Sequence, residues 1–166
     1  MTSIDDLPGL LASTVVALSD AGVHDEALGA FKPSRGVLIF RTADAFTPVG
    51  RAWRLGVLLL DRSGGLYSLG EVTRAVAPGR AAVNRSAAGT ERRSYREAAS
   101  RSAFPAGEAV NFGFAPLALD AASLAAGSGP LFLLDGQIMV TVDPASGGAT
   151  DLERYLADRV AALIGD

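Results

Sequence analysis

Residues 53–76 read WRLGVLLLDRSGGLYSLGEVTRAV. Two runs rich in β-favouring residues, Trp53–Leu60 and Leu66–Val76, flank Asp61, Arg62, Ser63, Gly64 and Gly65, whose side chains favour turns. The stretch predicts two long strands joined by that turn. In the second run Leu66, Ser68, Gly70 and Val72 share one face and Tyr67, Leu69, Glu71 and Thr73 the other. Both faces are mixed, so each is expected to be only partly buried.

Downstream, residues 77–90 are rich in Ala, Gly, Pro, Ser and Asn and read as a loop. Thr90 is placed to cap a helix over Glu91–Ser102, whose apolar face is thin: Tyr95, Ala98 and Ala99. Ala109–Phe114 reads as a strand and Asp120–Ala126 as a helical turn. Leu131–Leu134 and Gln137–Val142 flank Asp135-Gly136, the pair that favours a type I′ hairpin turn because glycine accepts positive φ cheaply. Thr150, Asp151, Leu152 and Glu153 form a capping box. It opens a last helix expected to bury Leu152, Tyr155, Leu156, Val160 and Leu163. Upstream, Ile4, Leu7, Leu11, Val15 and Leu18 recur at helical spacing, and Gly22 suits a stop. A short helix is expected over Asp25–Phe31, then a break at 32–36 and a strand over Val37–Arg41. The fold class that results is α+β. A single domain spans residues 1–166, with a mainly antiparallel sheet of about five to six strands, N- and C-terminal helices and one central helix.

Composition narrows the chemistry. No cysteine is present, which removes disulfides, thiolate metal sites and cysteine nucleophiles, and is compatible with a reducing compartment. The start is acidic rather than basic, and no apolar run comes near the roughly 20 residues of a span, so neither a secretory leader nor a membrane span is expected and the location is read as cytoplasmic. The net charge of −3 is unevenly placed. Residues 1–30 hold five acids and no base, whereas residues 74–101 hold seven arginines against Glu91 and Glu97. Fourteen arginines stand against one lysine, Lys32, a bias that a GC-rich genome explains without function.

Most catalytic constellations are missing. Lys32 is followed by Pro33, so no phosphate-cradling loop exists; Gly127 and Gly129 begin a dinucleotide fingerprint that Phe132 breaks; Ser68 lacks the preceding glycine of a nucleophile elbow. His24 is the only histidine, and it reads as an exposed residue after a helix stop. No metal site and no cofactor are expected. The carboxylates at helix starts (Asp5 with Asp6, Asp25 with Glu26, Asp151 with Glu153) are explained by capping and the helix dipole. Glu71 and Glu108 differ because each lies in or beside a strand, either solvated, paired with a base such as Arg74, or catalytic. Arg92, Arg93 and Arg96 fall together on the central helix, near its N-terminus, and with Arg74 form a candidate site for a phosphate or carboxylate. The bland reading is a solvated helix face balanced by Glu91 and Glu97. Nucleic acid is not expected of a chain with pI near 5.1 and few aromatic residues in its basic segment.

Three stretches, Val49–Leu60 (VGRAWRLGVLLL), Val72–Val76 (VTRAV) and Pro105–Phe112 (PAGEAVNF), resemble a family of small proteins from high-GC bacteria, over most of the chain from about residue 35 onward. Some members carry the label glutaminase. The residues do not support that activity. Serine-dependent glutaminases need Ser-x-x-Lys, and the sole lysine has Gly29 three residues before it; cysteine-dependent amidotransferases need the missing cysteine. The expectation is a non-enzymatic module, either binding a small anion or pairing with copies of itself. The alternative is a small hydrolase-like enzyme without metal or cysteine, using Glu71 or Glu108 with an arginine.

Overall fold

A computed structural model of the chain describes residues 1–36, 42–79 and 86–165. Among them are four helices and ten strands. In chain order these are α1 (Leu7–Asp20), β1 (Glu26–Lys32), β2 (Ala45–Leu55), β3 (Leu58–Asp61), β4 (Leu66–Ser68) and β5 (Glu71–Arg74). Then come α2 (Ala87–Ser100), β6 (Ala109–Phe112), β7 (Ala115–Pro116), α3 (Ala121–Ala126), β8 (Leu131–Leu134), β9 (Gln137–Asp143), β10 (Gly148–Asp151) and α4 (Leu152–Gly165). The α+β class is as expected. The pairing is mainly but not strictly antiparallel, and the strands outnumber the five to six expected: backbone pairing gives a seven-strand mixed order β5-β6-β1-β2-β3-β4-β7, with β1 parallel to β6, and a separate antiparallel order β10-β9-β8. No described helix is long and apolar enough to cross a membrane.

The chain forms two compact units, Met1–Asp25 with Ala52–Leu69 and Ala115–Asp166, and Glu26–Arg51 with Gly70–Phe114. In the first unit, α1 and α4 pack together and supply Leu7, Leu11, Leu18, Leu152, Tyr155 and Leu156 to a core with Trp53, Leu55, Leu58, Leu60 and Ile138. Each fully buried leucine contributes about 1.5–3 kcal/mol through removal of apolar surface from water. Trp53 is completely buried, and its indole N–H is satisfied by the Val23 carbonyl at 2.9 Å. In the second unit, Phe46, Val110, Phe112 and the alanines 75, 98 and 99 make a smaller core, completed by Phe31, Tyr95 and Phe104.

Several boundaries differ from the sequence expectation. Trp53–Leu60 is not one strand. It turns at Gly56 and Val57, so that Trp53 pairs with Leu60 and Leu55 with Leu58. Leu66–Val76 is likewise divided. Its first part pairs with β3 and β7, its second with β6. The short helix expected over Asp25–Phe31 is instead the strand β1, Glu26–Lys32, because it finds a parallel partner in β6 that overrides local preference. The central helix starts at Ala87 with Ser86, not Thr90, as its cap: the Ser86 hydroxyl accepts from the Gly89 N–H at 3.1 Å. At α4 the capping carboxylate is Asp151, which accepts from the N–H groups of Glu153 and Arg154, rather than the Thr150 hydroxyl. The strand expected over Val37–Arg41 lies outside the described residues.

The 61–65 turn forms where expected. Asp61 organises it by accepting from the Ser63 hydroxyl (2.6 Å), the Ser63 and Gly65 N–H groups (2.8 and 2.9 Å) and the Tyr67 hydroxyl (2.7 Å). Burial pushes the Asp61 carboxyl up, but these donors together outweigh it and hold the group below the ordinary carboxylate range. A depressed folded pKa contributes stability that is fully present above the unfolded value of about 3.9 and is lost as pH falls through the folded value. Asp61→Asn is therefore expected to reduce stability at pH 7 and to lose that deficit relative to the parent below about pH 4. Urea unfolding of both proteins between pH 7 and pH 3 checks this; a gap that stays constant across the range would refute it.

Candidate functional site

Helix α2 carries the arginine group on a simple physical plan. Tyr95 packs against Phe31 and Phe112, at ring centroid distances of 5.1 and 4.7 Å, and Ala98 and Ala99 are fully buried. That thin apolar stripe fixes which side of the helix faces inward. Arg92, Arg93 and Arg96 are exposed. Offsets of three and four bring Arg93 and Arg92 beside Arg96.

The two acids expected to balance them are engaged elsewhere. Glu91 accepts from the Tyr95 hydroxyl at 3.1 Å, and Glu97 pairs with Arg101 at 3.4 Å. Burial, followed by the Glu91 hydrogen bond, raises the Tyr95 phenol above its usual range, so it stays a neutral donor. Arg92 donates through Nε to the Ala88 carbonyl at 3.2 Å. Arg93 and Arg96 make no ion pair among the described residues.

Arg74 does not join this group. Ala75 belongs to the same apolar cluster as Ala98 and Ala99, under α2. Successive residues alternate across a strand, so Arg74 points the other way, and its guanidinium donates to the Gly107 carbonyl at 3.2 Å. Arg80 and Arg85 lie outside the described residues.

The two candidate glutamates are held apart. Glu71 pairs across the ladder with Phe112, whereas the Ala75 N–H bonds to the Glu108 carbonyl. That is four residues along the strand, about 13 Å, too far for paired carboxylate chemistry. Glu71 is exposed. The Glu108 side chain is only 8 % exposed and accepts from Arg51 Nη2 at 2.8 Å, so its cationic partner is Arg51 on β2 rather than Arg74. His24 is exposed, between α1 and β1.

Two arrangements were not visible in the sequence. Asp25 does not start a helix. It is buried and accepts from Arg62, whose guanidinium lies 4.9 Å from the centre of the Trp53 ring. Asn111 is fully buried on β6 and donates to Glu26 at 2.6 Å. Both pairs join residues far apart in the chain, and no local pattern announces them. Compared with protein-family models, curated proteins and solved structures, the chain finds no match in any of the three.

Proposed function

We propose that this protein is a non-enzymatic module that binds a small anion, a phosphate or carboxylate, on the exposed face of α2 through Arg92, Arg93 and Arg96. The observation that carries the reading is that three neighbouring guanidinium groups share one and a half turns of helix while Glu91 and Glu97 are engaged elsewhere. Arginine offers a fork of donors that matches the geometry of both anions. The separation of Glu71 from Glu108, and the pairing of Glu108 with Arg51, favour binding over catalysis.

A thermal-shift screen with inorganic phosphate, citrate, sugar phosphates, nucleotides and glutamine tests the reading. A ligand present at a hundred times its Kd stabilises by about 2.7 kcal/mol, which raises Tm by about 5–10 °C at this chain length. The triple variant Arg92→Gln, Arg93→Gln, Arg96→Gln is expected to abolish that shift and keep a cooperative transition, because all three side chains are exposed. A flat screen, or a shift that survives in the triple variant, would overturn the proposal. A flat screen accompanied by concentration-dependent self-association would point instead to pairing with copies of itself.

A further inference from the structure

The first unit carries a concave surface that the α2 reading leaves unused. Between α1, the 62–64 turn and Leu119 lies a groove of about 620 Å³, within the range of small-molecule sites. Its walls are almost wholly apolar: Leu7, Leu11, Val15 and Val16 along the helix, with Leu119 opposite. From Leu7 to Val16 it follows about 14 Å of helix axis, at 1.5 Å per residue. Val16 remains 56 % exposed on this surface. Arg62 is the one charged residue in the lining.

Arg62 is held in an unusual way for a turn residue. Its Nε and Nη2 both reach Asp25 Oδ2 at 2.9 Å, and its guanidinium sits over the Trp53 ring. Even so, 59 % of the side chain is exposed. A guanidinium has five N–H donors, and Asp25 engages only the Nε and Nη2 positions, leaving Nη1. The cation is thus fixed before any ligand arrives, so little side-chain freedom is lost on binding. We infer that this groove binds an amphipathic monocarboxylate of the fatty-acid kind, its alkyl chain laid along α1 and its carboxylate on Arg62. Apolar walls with a single preorganised cation match a single anionic head on an apolar chain. A compact polar anion would find nothing for the rest of the groove to bind. The inference is independent of the α2 reading.

Trp53 is the only tryptophan, and it is stacked beneath Arg62, so its emission reports on the site. The test titrates octanoate, decanoate and laurate, each below its micellar concentration, against the intact protein, following Trp53 emission and heat. Saturable binding is expected, tightening about fourfold for each added methylene. Dodecanol, which keeps the chain and lacks the charge, is expected to bind about tenfold more weakly than laurate, as is laurate to Arg62→Gln. Because Arg62→Gln leaves Asp25 without this partner and risks the fold, a second variant is needed. Ala12→Phe, at an exposed position of the lining, fills the groove without touching the core and is expected to abolish binding. The α2 triple variant is expected to bind laurate normally. No saturable response, equal affinity for dodecanol and laurate, or binding unchanged by Ala12→Phe would each overturn the inference. So would an Ala12→Phe variant whose only effect is to dissociate a dimer, since a second copy would then be the occupant.

Discussion

Gly56→Ala is expected to lower the unfolding free energy by about 3–5 kcal/mol, from a left-handed backbone and a steric clash acting together. Gly56 has φ of +63°, where a residue with a β-carbon is strained. Its missing β-carbon is also the space that Tyr155 occupies. An added methyl would fall on the Tyr155 hydroxyl and lie 3.2 Å from both the Tyr155 Cζ and the Arg159 Cδ. Tyr155 has no room to withdraw, because it is 3 % exposed within the first unit's core. Nor is its hydroxyl idle: it accepts from the Val57 N–H at 2.7 Å and donates to the Leu55 carbonyl at 2.8 Å. One side chain of α4 thereby satisfies both backbone groups of the tight β2–β3 turn. Tyr155→Phe should then cost about 1–2 kcal/mol, since it leaves the part-buried Val57 N–H without this partner and takes one hydrogen bond from the Leu55 carbonyl. The decisive result is the double variant. Removing the hydroxyl removes the atom the alanine methyl strikes, so the two losses should fall short of additive by about 1–2 kcal/mol. Strict additivity in urea unfolding, or a Gly56→Ala loss below about 1 kcal/mol, would mean that the hydroxyl does not fill this space.

The same turn explains how a sequence can be right about strands and wrong about their number. The run from Trp53 to Leu60 is apolar almost throughout, so alternation cannot mark where it reverses. The reversal rests on Gly56, whose positive φ serves the tight turn and whose missing β-carbon leaves room for Tyr155, a hundred residues away from Leu55. Local chemistry was sufficient elsewhere. Asp135 (φ 51°) and Gly136 (φ 78°) adopt the hairpin turn their identities favour, and the β8–β9 register follows from it. The apolar stripe of α1 and the Tyr95, Ala98, Ala99 face of α2 were legible for the same reason: a helix writes its buried face at a fixed spacing. β1 failed that test because its partner is distant. Glu26-Ala-Leu-Gly-Ala-Phe reads locally as a helix, yet Gly29 is where the Val110 side chain comes within 2.7 Å of a β-carbon's position, an approach made in the sheet. At the candidate site, the clustering of Arg92, Arg93 and Arg96 was visible because it is local. The pairing of Glu108 with Arg51, and of Asp25 with Arg62, was not, because folding alone brings those partners together.

Asn111→Asp is expected to destabilise the protein by about 1–3 kcal/mol at pH 7, because it sets a second carboxylate beside Glu26 at a fully buried position and removes the amide donor. Asn111 is fully buried between its ladder partners, Val72 on β5 and Leu28 on β1. Its amide donates to the Glu26 carboxylate at 2.6 Å and to the Ala27 carbonyl at 3.4 Å. Substitution by aspartate is almost isosteric but reverses the hydrogen-bonding sense, setting a second acceptor against two existing ones. Desolvation and the Glu26 charge both raise the pKa of the introduced carboxyl above its unfolded value of about 3.9. An acid whose folded pKa is raised destabilises at every pH above the unfolded value, and its penalty fades as pH falls toward that value. Once protonated, the new carboxyl donates to Glu26 as the amide did. The deficit relative to the parent should therefore shrink between pH 7 and pH 4 in urea unfolding. Asn111→Leu separates charge from packing: it removes the donor without adding a charge, so its deficit should vary less with pH. Equal and pH-independent losses in the two variants would show that shape, not the hydrogen bond to Glu26, is what this position requires.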